Sequence, residues 1–164
     1  ALAALRVLGH GEAACEAAVT RASWPARMQR LRTGPLTRAA PQADIWLDGG
    51  HNPAAGHAIA ATLAQLPARP THLICGMLNT KDVRGYMRPL AAHAATLTAV
   101  SIPGEAATLT AAETAAAARD AGHTATDAAT VGEAVARITD SSPNARILIC
   151  GSLYLAGAIL RENG

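Results

Sequence analysis

The stretch from residue 45 to residue 53, Ile-Trp-Leu-Asp-Gly-Gly-His-Asn-Pro, predicts a strand, a turn and the start of a helix in immediate succession. Its first three residues form a short apolar run, too brief for a helix and typical of a strand that is covered on both faces. Asn52 is a favourable N-cap, and Pro53 suits the first helical position, where a missing N–H costs nothing. The strand therefore carries Asp48 to its carboxyl end and leaves His51 beside a helix N-terminus. Open α/β sheets bind their ligands at such places.

The turn itself consists of two glycines. Gly49 and Gly50 permit either a positive φ or a close backbone approach, so that a ligand can lie on the turn. Taken alone, the stretch leaves a second interpretation open, in which Asp48 only caps the turn and His51 lies in an ordinary loop.

The composition limits the classes of protein to which the chain can belong. The 164 residues fit one domain with a real core, and half of them are hydrophobic although aromatic residues are scarce. A net charge of +2 without a run of Lys or Arg argues against nucleic acid or an anionic membrane as a partner. No stretch has the layout of a membrane span or a signal peptide. Three cysteines without Cys-x-x-Cys spacing predict buried free thiols and a reducing cytoplasm; they are Cys15, Cys75 and Cys150.

Strand and helix patterns alternate from residue 45 to the end of the chain. Connections of this length predict parallel strands joined by right-handed crossovers, and hence an α/β, three-layer, Rossmann-like, mostly parallel sheet with helices on both faces. Residues 1–22 have helical patterns and start without a methionine, which indicates a lead-in from a preceding domain; residues 23–164 form the α/β domain. An edge strand is predicted near residues 28–32, followed by chain breaks at Gly34, Pro35 and Pro41. The other predicted strands are 71–75, 96–102, 123–126 and 146–150, and the predicted helices are 54–66, 83–93, 111–121, 132–139 and 153–161.

Parallel strands bring their carboxyl ends to one edge of the sheet, so Asp48, Gly76 and Gly151 are predicted to share a rim. Ser152 has two possible roles there, donation to a ligand carboxylate or capping of its own helix. Lys81 likewise either reaches a phosphate or lies on the surface beside a carboxylate. The sequence contains no Gly-x-x-x-x-Gly-Lys-Ser/Thr loop, no Gly-x-Gly-x-x-Gly after a strand and no metal-ligand spacing, so we predict no metal site. A domain that supplies part of a shared site fits these observations better than a complete nucleotide-using enzyme.

Four motifs, in this order, resemble the C-terminal domain of folylpolyglutamate synthase/dihydrofolate synthase, a branch of the Mur ligase superfamily. Residues 24–29, Trp-Pro-Ala-Arg-Met-Gln, are similar to the family's Trp-Pro-Gly-Arg-Leu-Gln, and residues 48–53 to its Asp-Gly-Ala-His-Asn-Pro. Residues 76–82 are similar to its Gly-x-Leu-x-x-Lys-Asp, and residues 151–157 to its closing Gly-Ser-Leu-Tyr-Leu-x-Gly. The chain departs from the pattern at Ala26 and Gly50, where the family has glycine and alanine, but neither change removes a functional side chain.

The resemblance implies a cytoplasmic, monomeric ligase that joins glutamate to dihydropteroate or folate through an acyl phosphate. The phosphate loop and most contacts to ATP and Mg²⁺ would belong to a preceding central domain, so the chain alone would be inactive. Arg27 and Asp48 would contact ATP, whereas His51, the catalytic candidate, and Ser152 would lie near the incoming glutamate. Two alternatives stay open: the same domain of another Mur-type amino-acid ligase, and a free-standing α/β module that binds nucleotides or amino acids.

Overall fold

The computed structural model describes residues 2–163, so Ala1, the first residue of the predicted lead-in, and Gly164 lie outside the described residues. Six strands form one sheet in the order β1-β2-β6-β3-β4-β5. β1 runs antiparallel to β2 at the edge, and the other neighbouring strands are all parallel. The strands are β1 Gln29–Arg30, β2 Asp44–Leu47, β3 Thr71–Cys75, β4 Thr96–Ala99, β5 Ala125–Asp127 and β6 Arg146–Cys150.

Helices cover both faces of this sheet. They are α1 Leu2–Val7, α2 Glu12–Thr20, α3 Pro35–Ala39, α4 Pro53–Gln65, α5 Val83–Met87, α6 Ala111–Asp120, α7 Val131–Ser141 and α8 Leu153–Asn163, with a 3₁₀ segment at Arg88–His93. Because side chains alternate along a strand, Ile147 and Ile149 of β6 point to one layer and Leu148 to the other. The first layer consists of α3, α7 and α8, and the second of α4, α5, the 3₁₀ segment and α6. The predicted three-layer, mostly parallel α/β fold is confirmed.

Most helix starts follow the sequence signals. The Asn52 side chain accepts a hydrogen bond from the Ala55 N–H at 2.9 Å, which confirms it as the N-cap of α4. Asp82 does the same for α5, where its Oδ1 accepts from the Gly85 N–H at 2.9 Å. The helix predicted over 83–93 changes at Arg88 into a 3₁₀ segment, because Pro89 has no N–H for an α-helical bond.

Several element boundaries differ from the sequence prediction by one or more residues. Pro35 does not break the chain: it starts the short helix α3, whose Leu36 N–H donates to Asn163 Oδ1 at 3.1 Å. β4 ends at Ala99 rather than at residue 102, and β5 lies at 125–127 rather than at 123–126. Helices α1 and α2 contact each other and leave large apolar side chains exposed. Within residues 2–163, none of the helices combines the length and the apolar character that a membrane span requires.

Candidate functional site

The carboxyl ends of the three central strands form one rim. β6 lies between β2 and β3, and the residues that follow β2 and β3 are each held by β6. The Asp48 N–H donates to Ile149 O at 2.9 Å, and the Gly76 N–H to Cys150 O at 3.2 Å. Gly151 continues β6 between them with φ +102°, a conformation that glycine favours. The prediction that Asp48, Gly76 and Gly151 share a rim is therefore confirmed.

Asp48 is a buried carboxylate that holds two separate backbone segments. It is 5% exposed, its Oδ1 accepts the Gly50 N–H at 2.7 Å, and its Oδ2 accepts the Met28 N–H at 2.8 Å. The first bond fixes the turn after β2, as the capping interpretation anticipated. The second ties down the segment before β1, a long-range contact that the local sequence pattern does not reveal.

The segment that Asp48 anchors presents Arg27. Ala26 and Met28, on either side of it, have φ of +55° and +41°, values that L-residues rarely adopt. Two further bonds hold this backbone: Ala26 N–H to Gln29 Oε1 at 2.8 Å and Gly49 N–H to Ala26 O at 2.9 Å. The Arg27 guanidinium donates to Ala26 O at 2.9 Å and is otherwise exposed at the rim. The positive φ at Ala26 explains why a glycine would suit this position.

The glycines of the turn serve close packing rather than a positive φ. Neither Gly49 nor Gly50 is among the residues with positive φ. A Cβ at Gly49 would lie 2.3 Å from Leu153 Cδ2, and one at Gly50 would lie 2.8 Å from the Ala55 Cβ. Of the two uses predicted for these glycines, the structure therefore supports the close backbone approach.

The hydrogen bond of His51 determines which ring nitrogen is available for chemistry. Its Nδ1 lies 3.0 Å from Gly49 O. A carbonyl oxygen only accepts, so Nδ1 carries the proton and the neutral ring keeps its lone pair on Nε2. His51 is half-buried and lines two adjoining cavities, one of about 240 Å³ with Arg27 and Asp48, and one of about 80 Å³ with Lys81 and Ser152. It thus links the two halves of the candidate site.

Ser152 caps the last helix, which is one of the two roles predicted for it. Its Oγ accepts the Tyr154 N–H at 3.0 Å, and the residue is 2% exposed. The hydroxyl hydrogen remains available to donate, so capping does not prevent a contact with a ligand in the smaller cavity. Lys81 is half-buried and lines the same cavity.

Two thiols and a phenol lie under the rim. Cys75 and Cys150 are in register on β3 and β6, and both are buried and free, as is Cys15. A hydrogen bond with Cys150, together with burial, raises the pKa of the Cys75 thiol well above its usual value. Burial is also the main cause that raises the pKa of Tyr86. Cys75 and Tyr86 therefore stay protonated and pack the core. A protonated thiol is a poor nucleophile. In the described part of the chain no three His, Cys, Asp or Glu side chains are grouped so as to hold a metal ion.

A family of ligase domains and several solved enzymes are similar to this chain. The model of the "Mur ligase, glutamate ligase domain" family matches residues 26–153. Folylpolyglutamate synthase of Lacticaseibacillus casei is 32% identical over 140 residues, which cover 83% of this chain and 29% of that protein. Mycobacterium tuberculosis folylpolyglutamate synthase complexed with ADP has a TM-score of 0.80 at 24% identity, over 96% of this chain and 36% of its own. E. coli FolC in complex with DHPP and ADP also has a TM-score of 0.80, at 22% identity, over 98% of this chain and 36% of its own. The chain therefore spans about a third of the length of these relatives.

Proposed function

The chain belongs to the Mur ligase family, as its glutamate ligase domain, and on that premise we propose that it is the C-terminal domain of an ATP-dependent ligase. In this proposal the intact enzyme adds glutamate to dihydropteroate or folate through an acyl phosphate, and residues 23–164 are the domain that residues 1–22 connect to a preceding one. The observation that carries the proposal is that Arg27, Asp48, His51 and Ser152 lie on one rim although the sequence separates them widely.

Arg27 is the group that we assign to the phosphates of ATP. Its exposed guanidinium lies beside the larger cavity on a backbone held by Asp48. A fixed cation there stabilises negative charge that grows as the phosphoryl group is transferred. Asp48 has lone pairs beyond those used by its two N–H partners, and we assign them to a polar contact with the nucleotide, such as a ribose hydroxyl.

His51 is the group that we assign to the second half of the reaction. The amine of glutamate attacks the acyl carbon, the bond to phosphate breaks, and the amine nitrogen must lose a proton. The lone pair on Nε2 is placed to accept that proton, because Nδ1 is held by Gly49 O. The Ser152 hydroxyl, which lines the smaller cavity together with His51, is suited to donate to a glutamate carboxylate.

The remaining ligand contacts belong to the preceding domain in this proposal. Mg²⁺ neutralises phosphate charge when it is bound, and we assign its ligands and the phosphate loop to that domain. We also propose that the enzyme is a cytoplasmic monomer without a nucleic acid or membrane partner, in keeping with buried free cysteines and a small net charge.

Steady-state kinetics of the intact enzyme test the proposal. Arg27→Ala is expected to lower kcat/KM for ATP at least about tenfold, or about 1.4 kcal/mol, with little change in melting temperature because the side chain is exposed. Arg88→Ala removes another exposed arginine, which lines neither of the two rim cavities, and is expected to leave kcat/KM unchanged. His51→Gln is expected to lower kcat, since an amide cannot accept the proton. Near-normal kinetics for both Arg27→Ala and His51→Gln would refute the assignment of the rim.

A further inference from the structure

We propose that a groove at the amino end of β2 binds a linear polycarboxylate, the chemistry of a γ-linked oligoglutamate tail. The groove, named here the arginine groove, has a volume of about 700 Å³ and lies between the β1 segment, α3 and the start of β2. Its charged lining residues are Arg30, Arg32, Arg38 and Asp44. The choice of a glutamate tail as occupant rests on the proposed function.

The arginine groove is distinct from the rim. Asp44 begins β2 and lines the groove, whereas Asp48 follows β2 and lines the rim cavity. Four residues of a strand span about 13 Å at roughly 3.3 Å per residue. The two sites therefore lie at opposite ends of the same strand.

The charges of the arginine groove are not balanced. Among residues 2–163, no carboxylate forms an ion pair with Arg32 or Arg38, and both side chains are exposed. Asp44 is 8% exposed and pairs with Arg30 on one side and with Arg69, at 3.6 Å, on the other. One carboxylate shared between two guanidinium groups leaves an excess of positive charge, and guanidinium groups are well shaped for carboxylates.

A path of exposed arginines connects the rim with the arginine groove. Arg27 lies at the rim, Arg30 on β1 and Arg32 in the groove, and all three are exposed. Five residues of extended chain reach at most about 16 Å, so the three arginines are spaced along the short segment that contains the edge strand β1 and joins the two sites. Each glutamate added to a growing tail contributes one more carboxylate. A tail extended at the rim therefore meets a succession of cations along this edge.

Titration of the ¹⁵N-labelled 164-residue chain with tetra-γ-glutamate, followed by NMR, tests the inference. We expect saturable shifts of the amides of residues 30–44, and binding that is at least about tenfold tighter than that of free glutamate. Arg32→Gln and Arg38→Gln are each expected to weaken binding at least about threefold, within the range of exposed ion pairs. Arg88→Gln removes an exposed arginine elsewhere and is the matched control, expected to bind as the parent chain does.

Several outcomes would overturn the inference. One is that the amide shifts do not saturate at millimolar tetra-γ-glutamate, and another is that they are confined to residues of the rim. A third is that Arg88→Gln weakens binding as much as Arg32→Gln and Arg38→Gln do. A fourth is that an equal concentration of inorganic phosphate displaces the ligand. Tighter binding of α-linked tetraglutamate would assign the groove to an acidic peptide instead. The titration needs no ligase activity. If tetra-γ-glutamate does not bind, the assignment of Arg27 and His51 at the rim is unaffected. If the Arg27 and His51 variants have near-normal kinetics, the binding data for the arginine groove are unaffected.

Discussion

Replacement of Asp48 tests whether this residue organises the rim as well as contacting a ligand. Asp48→Ala removes the acceptor of two backbone N–H groups, those of Gly50 and Met28, at a site that is 5% exposed. The turn after β2 and the segment that carries Arg27 both lose their anchor. We therefore expect the substitution to lower the free energy of unfolding of this chain itself, without any ligand present.

The magnitude follows from the two lost bonds. Hydrogen bonds to a charged group contribute about 1.5–3 kcal/mol each, so two contribute about 3–6 kcal/mol before any relief by water. Met28 is only half-buried, so water can replace part of its bond, and we expect a net loss of about 3 kcal/mol. For a chain of this size that corresponds to a melting temperature lower by about 6–12 °C.

Urea unfolding of the parent chain and of three variants provides the measurement. Asp48→Asn is expected to fall between the parent and Asp48→Ala, because the amide keeps one acceptor oxygen and offers a donor in place of the other. Asp140→Ala changes an exposed carboxylate in α7 and is expected to alter stability by no more than about 0.5 kcal/mol. A loss below about 0.5 kcal/mol for Asp48→Ala, equal to the control, would refute the anchoring role of the carboxylate.

Three further predictions concern packing, pH and activity. In the same urea unfolding experiments, Gly56→Ala is expected to destabilise the chain by about 1–3 kcal/mol, because the new Cβ would lie 2.2 Å from Tyr86 O. Gly157→Ala is the control: its new Cβ would have its nearest atom at 3.6 Å, and it is expected to be neutral or stabilising. Burial lowers the pKa of both His72 and His123. The unfolded chain therefore binds protons at these histidines more readily than the folded chain does. The free energy of unfolding is accordingly highest above the ordinary histidine pKa of 6.5 and decreases as the pH falls below that value. Urea midpoints from pH 8 to pH 5 check this decline, and His72→Gln combined with His123→Gln is expected to flatten it. The chain alone is expected to release no phosphate from ATP and Mg²⁺ above the blank, and turnover that survives repurification would contradict the proposal of an isolated domain.

The fold was largely predictable because its strands carry strong local signals. β3 and β6 were predicted with the bounds that they have, since each is a continuous apolar run between turn residues. The helix α3 was not predictable, because Gly34, Pro35 and Pro41 resemble a loop. Its Leu36 N–H is held by Asn163, which is 127 residues away. A short helix stabilised by such a distant partner leaves no local pattern.

The candidate site was predictable in its location but not in its internal bonds. The alternation of strands and helices was enough to bring Asp48 and Gly151 to one rim. That Asp48 accepts the Met28 N–H depends on β1 lying antiparallel beside β2, and no local periodicity specifies that neighbour. The role of Ser152 as a cap and the tautomer of His51 likewise follow only from their contacts in the folded chain.

The order of the strands has a consequence for synthesis on the ribosome. β6 is the last strand of the chain, yet it lies in the middle of the sheet and pairs with both β2 and β3. Until residues 146–150 leave the ribosomal exit tunnel, β2 and β3 have no strand between them, and the apolar faces that they share with β6 stay uncovered. A nascent chain therefore completes this core only after residue 150 has been made, and until then its uncovered apolar surface and unpaired strand edges favour aggregation.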